Sequence, residues 1–188
     1  MIKIKKYMEE KTLSLALPIN LSAATSTLVF VILSILSFAT PFLLGQPQWL
    51  IGTIVNASLF LATIFLPKKY FLPLVVFPSL GVLARGIIFG PFTFFLVYFL
   101  PFIWLANLIL ILIFKKLFLY IKYLPSVFLS VTAKCLFLFA VANVYFGFHI
   151  VPKLFLQTMG IAQLLTGLAG GIISFIIFKS YGEYNTRS

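Results

Sequence analysis

FTFFLVYFLPFIWLANLILILIF, residues 92–114, runs for 23 residues without a charge and stops at Lys115-Lys116. About 20 helical residues cross the hydrocarbon core of a bilayer, so this stretch reads as a membrane-spanning helix. Five further apolar segments of similar reach lie around it, at roughly 15–43, 49–66, 71–89, 124–147 and 154–178, separated by Pro, Gly and basic clusters. The whole chain of 188 residues is 62% hydrophobic and only 9% charged, against about 25% charged in an average soluble domain. Too few polar groups remain to cover a water-soluble surface of this size. The expected fold class is therefore all-α: one integral membrane domain, residues 1–188, built as a bundle of six transmembrane helices. Residues 1–11 alternate Ile with Lys and read as a short basic interfacial segment, and the first span is expected to start near Pro18.

The distribution of charge sets the orientation. Fourteen Lys and Arg stand against three acids, Glu9, Glu10 and Glu183. Lys3, Lys5, Lys6, Lys11, Lys68, Lys69, Lys115, Lys116, Lys122, Lys179 and Arg187 fall on one face of the predicted bundle, and only Lys153 falls in the opposite loops. Short loops rich in Lys and Arg stay in the cytoplasm, so both termini are expected inside a cell membrane. The net charge of +11 is then a device for orientation in lipid, and no nucleic-acid partner is implied.

No carboxylate lies between Lys11 and Gly182. Paired-carboxylate hydrolysis, Asp-rich magnesium sites and ion coupling through a buried acid therefore have no residues to run on. One cysteine, Cys135, and one histidine, His149, make no metal set, and both read as packing residues. Neither a GxxxxGK[ST] loop nor a GxSxG elbow occurs, so the expectation is a non-enzyme without a cofactor.

Polar residues inside the spans mark the candidate site. Lys134 lies about 15 Å from the inner surface at 1.5 Å per residue, close to the midplane and too deep to snorkel. With no acid in any span, its partner must be an amide or backbone oxygen, water or an anionic ligand. The alternative is a purely structural amine. Arg85 lies near the outer end of the third span, where it either reaches the interface or faces a pocket. Asn56, Asn143, Gln157 and Gln163 also fall in the outer or middle part of their helices and complete a candidate substrate-binding set, with Trp104 and Phe148 available for stacking. Asn143 is nine residues from Lys134, half a turn around the same helix, so at most one of the two points squarely into a cavity. Asn107, deeper, is expected to be structural.

Two surfaces are rich in small residues. Ala162, Thr166 and Gly170, beside a GxxxG at Gly167 and Gly171, suit close helix packing in the last span, and Ser22, Ala23, Ser26 and Thr27 open the first span as a candidate partner-docking face.

NASLFLATIFLP (56–67), the Pro- and Gly-rich third span and GPFTFFLVYFLPFIWLAN (90–107) together resemble the substrate-binding S components of energy-coupling-factor (ECF) vitamin transporters. The resemblance implies six helices with both termini inside, an outward-opening pocket for a small vitamin-like solute, and a loop between the first two helices that helps to close it. It also implies partners in trans, a membrane coupling subunit and ATPases that energise uptake. Many members dock through AxxxA in the first helix, and here Ser22-x-x-x-Ser26 overlapped by Ala23-x-x-x-Thr27 stands in its place. Two other readings fit the residues: a structural or assembly protein whose small-residue faces bind partner helices without transporting a solute, and a membrane-embedded enzyme.

Overall fold

A computed structural model describes residue 19 and residues 21–89 and 93–185. The basic segment at residues 1–11, the helix start expected near Pro18, the loop at residues 90–92 and Arg187 lie outside the described residues. The described chain folds as α1 (Ala23–Leu43), α2 (Gln48–Phe65), a single 3-10 turn (Lys68–Tyr70), α3 (Phe71–Phe89), α4 (Thr93–Phe118), α5 (Tyr123–Gly147), the short α6 (Leu154–Met159) and α7 (Ile161–Asn185). The protein is an all-helical membrane protein with six spans, the sixth made of α6 and α7 in series.

The last span runs on to Asn185, past the expected residue 178, and three further differences from the sequence expectation have a local reason. The first span starts at Ala23 instead of near residue 15, because Ser22 takes the N-cap position and its hydroxyl accepts the Thr25 N–H at 3.1 Å. Ahead of it the described residues Ile19 and Leu21 are non-helical, and the Ile19 N–H donates to Ile64 O at 2.9 Å. The fourth span runs four residues past Phe114 to Phe118, with Lys115 and Lys116 in its last turn, where cations complement the negative end of the helix dipole. The sixth span breaks at Gly160, where a Cβ would lie 2.7 Å from Leu156 O and 2.9 Å from the Phe139 ring.

The bundle is organised around α2. Every residue from Val55 to Leu66 is buried, on all sides of the helix, as expected of a segment with no polar face. The other spans bury one face and expose large apolar side chains on the other, among them Leu28, Val31 and Ile35 on α1, Leu136 and Phe139 on α5, and Leu165, Ile172 and Ile176 on α7. An apolar exterior of this kind is stable against lipid tails and not against water.

The small residues of the last span set how tightly α2 is enclosed. A Cβ on Gly170 would lie 2.7 Å from Ala57 N and 2.8 Å from Thr53 O, so α2 and α7 meet backbone to backbone. Gly167 and Gly171 receive the side chains of Val131 and Val127 from α5. At the 66–70 end an aromatic cluster of Phe60, Phe114, Phe118, Tyr123 and Phe178 closes the bundle, and the Tyr123 hydroxyl is bonded to Ser174 Oγ at 2.6 Å. Towards the 44–47 end, residues from all six spans line a cavity.

Gly170→Val forces α2 and α7 apart and is expected to destabilise the purified protein by about 1–3 kcal/mol, the usual range for overpacking a close contact. Gly182→Val, whose Cβ would meet nothing within 4 Å, is the control. Thermal unfolding in detergent checks the pair: equal melting temperatures would contradict the backbone contact.

A candidate ligand cavity around Lys134

Lys134 sits midway along α5 and is 3% exposed. Its Nζ donates to Asn56 Oδ1 at 2.7 Å and to Asn107 Oδ1 at 2.8 Å. Asn56 lies midway along α2 and Asn107 midway along α4, so one amine ties three helices together at the centre of the bundle.

Both amides are held in the orientation that the amine needs. Asn56 Nδ2 donates to Gly52 O at 2.8 Å and Asn107 Nδ2 donates to Val75 O on α3 at 3.1 Å, which turns each Oδ1 towards Lys134. Bringing an amine cation out of water costs several kcal/mol even after the protein relaxes, and hydrogen bonds to a charged group return about 1.5–3 kcal/mol each. Two amide oxygens thus offset much of the cost in a span region that contains no acid. A lysine ammonium has three N–H donors, and two are accounted for. Lys134 also lines a cavity, and its third N–H has no protein acceptor among the described residues.

That cavity has a volume of about 470 Å³, within the usual range for small-molecule sites. Its floor is the Lys134, Asn56, Asn107 and Thr166 group. Its walls are largely apolar, with Val55 from α2, Val82 from α3, Ile103 from α4, Leu138 from α5 and Met159 from α6. Its rim is polar and carries Gln46, Gln48, Arg85, Thr158 and Gln163.

Arg85 holds the rim in shape. Its Nη1 donates to Phe42 O and Leu43 O, both at 3.0 Å, and so satisfies carbonyls left open at the C-terminal end of α1. The guanidinium lies against Gly45, whose φ of +62° and lack of a Cβ both allow the chain to turn there. The 44–47 connection between α1 and α2 is thereby fastened to α3 beside the cavity mouth.

Of the residues expected from sequence, Lys134, Asn56, Arg85 and Gln163 line this one cavity. Trp104 does not: its Nε1 donates to Ser79 Oγ at 2.6 Å, so it braces a lining residue from behind. Asn143 is exposed on the opposite face of α5, as its nine-residue offset from Lys134 requires, and its amide donates to Phe139 O of its own helix. Gln157 is exposed as well, because Phe155 and Met159 take the buried face of α6. Phe148 is exposed beyond the end of α5 and stacks on nothing in the cavity. Asn107, expected to be structural, is a full member of the floor; Val75 O anchors its amide so that the oxygen meets Lys134. Sequence reasoning also missed Ser79 and Thr166 as lining residues. The signal for Asn107 was present, since a buried cation in acid-free spans needs an amide from another span.

In the candidate docking face, Ser22, Ala23 and Thr27 are exposed, whereas Ser26 is 7% exposed and turned into the bundle. Ser22 is occupied as the N-cap and the Thr27 hydroxyl donates to Ala23 O at 2.9 Å. Ser26 is therefore removed from the docking set.

No protein-family model, curated protein or solved structure matches the chain. The chemistry of the cavity must carry the functional reading.

The three-way contact has a thermodynamic signature. Asn107→Leu leaves the Lys134 amine with one acceptor and is expected to destabilise the fold by about 1–3 kcal/mol. Adding Lys134→Met to it removes the amine that lost its partner, so the double variant should be more stable than the sum of the single changes, as a double-mutant cycle in detergent would measure. Strict additivity would mean that the two side chains are energetically independent.

Proposed function

We propose that the protein is a membrane substrate-capture subunit for the uptake of a small, vitamin-like, anionic solute. The observation that carries this reading is a buried amine, held by two amide oxygens and facing a cavity, in a chain with no carboxylate between Lys11 and Gly182. A ligand carboxylate or phosphate would complete the coordination of Lys134 in a low-dielectric site where charge pairing is strong. A cationic ligand would be repelled. The rim supports the same reading: Gln46 comes from the connection between the first two spans, which Arg85 fastens beside the mouth, and Gln48 from the first turn of α2.

The proposal includes a source of energy in trans. The sequence has no ATP-binding loop and no acid between Lys11 and Gly182 to carry a coupling ion, so concentrative uptake would draw on a separate membrane coupling subunit with ATPases. This agrees with the resemblance to ECF S components and with a cell-membrane location in which both termini face the cytoplasm. The exposed pair Ala23 and Thr27 at the start of α1 is the small-residue surface offered to the coupling subunit. Ser26 packs inside and has no part in it.

Ala23→Leu adds bulk on the exposed face without touching the cavity. It is expected to abolish uptake of the solute by cells while leaving equilibrium binding to the purified protein unchanged. Purified protein alone in liposomes is expected to bind the solute without concentrating it, and concentrative uptake under those conditions would refute the energy source proposed here.

A further inference from the structure

The hydrogen-bond inventory of the cavity floor restricts the ligand further, given the capture reading above. Asn56 spends Oδ1 on Lys134, and Nδ2 on Gly52 O and, at 3.4 Å, on Thr166 Oγ1. Asn107 spends Oδ1 on Lys134 and Nδ2 on Val75 O. The Thr166 hydroxyl donates to Ala162 O at 2.7 Å. Higher on the wall, the Ser79 hydroxyl donates to Val76 O at 2.8 Å and accepts from Trp104. Among the described side chains of the floor, the third N–H of Lys134 is the uncommitted charged donor, and one neutral N–H of Asn107 Nδ2 is uncommitted as well.

One charged donor, with at most one neutral N–H beside it, selects the group that meets it. A phosphate brings three acceptor oxygens and close to two negative charges, far more than this floor can satisfy. A carboxylate brings one charge and meets the amine with one oxygen. An amide or alcohol offers no charge to pair, and an amine adds a like charge.

Above the floor the walls turn apolar, and the polar groups return only at the rim. Asn107 fixes the floor to the level of Val75 on α3, and Arg85 at the rim lies ten residues further along the same helix, about 15 Å at 1.5 Å per residue. The cavity is therefore long, with an acceptor-seeking base, a greasy middle and a hydrogen-bonding mouth.

We propose that the cavity takes an elongated, water-soluble monocarboxylate that enters acid first. The carboxylate sits on Lys134 Nζ, an apolar body lies along Val55, Val82, Ile103, Leu138 and Met159, and an uncharged polar end remains at the rim with Gln46, Gln48 and Gln163. The polar end separates this ligand from a fatty acid drawn from the bilayer, which has nothing to offer the rim.

Calorimetric titration of the full-length protein in nanodiscs with octanoate, 8-hydroxyoctanoate, octanamide, octyl phosphate and octylamine tests the assignment. The expected order is 8-hydroxyoctanoate tightest, then octanoate, with octanamide and octyl phosphate at least about tenfold weaker, the scale of one charge-assisted hydrogen bond, and no binding of octylamine. Lys134→Met should bring octanoate to the level of octanamide. Gln163→Leu, which leaves the floor intact, should remove the preference for 8-hydroxyoctanoate over octanoate and so tests the orientation even if the Lys134 variant does not fold. The assignment is overturned if octanamide or octyl phosphate matches octanoate, if octanoate outbinds its hydroxy derivative, or if none of the acids binds. Acids that bind in the expected order to a protein whose cells accumulate none of them would leave the assignment standing and defeat the uptake reading. A cellular cargo that proves to be a phosphate would do the reverse.

Discussion

The contact of Lys134 with Asn56 and Asn107 is the constraint around which the bundle is arranged. An amine buried at mid-span, far from any carboxylate, needs oxygen acceptors with fixed orientation, and the protein supplies them from two other helices. Those amides are in turn fixed by backbone carbonyls at Gly52 and Val75, so α2, α3, α4 and α5 are all tied to one nitrogen. Hydrogen bonds of this kind gain strength from the low dielectric, and an unsatisfied member would be costly for the same reason. The polar group thus specifies the register of four helices that otherwise present similar apolar surfaces to one another.

Close packing and the cavity divide the bundle along its length. Towards the 66–70 end, glycines on α7 let backbones meet and aromatic rings fill the remaining space around α2. Towards the 44–47 end the same helices line the cavity with branched side chains, and the 44–47 connection is fastened across to α3 by Arg85. A rigid base below and a fastened mouth above are what a site needs to hold a small solute in one orientation. The break at Gly160 adds a short helix whose buried residues, Phe155 and Met159, close one wall.

Much of this was legible in the sequence because hydropathy and the lack of acids speak directly to membrane insertion. The six spans and the depth of Lys134 followed from apolar run lengths and from 1.5 Å per residue. The angular argument that Asn143 and Lys134 cannot share a cavity also held, with Lys134 the inward one. Lateral position was not legible. Depth along a helix does not say which side a residue faces, so exposed Gln157 was grouped with cavity-lining Gln163, and Asn107 was separated from the amine it binds. The start of α1 depended on a single capping hydroxyl at Ser22, which the apolar residues upstream concealed. Trp104, expected in the binding set, lies outside the lining and braces Ser79 from behind, since its indole N–H is satisfied by that hydroxyl.

Native mass spectrometry of the protein purified from its own cells, beside Lys134→Met prepared in the same way, addresses the central claim most directly. The account predicts that the parent protein carries a small anionic molecule, released on unfolding, and that the variant folds but carries none. An equally loaded variant, or a bound molecule that is a cation, would contradict the role assigned to the amine at the centre of the bundle.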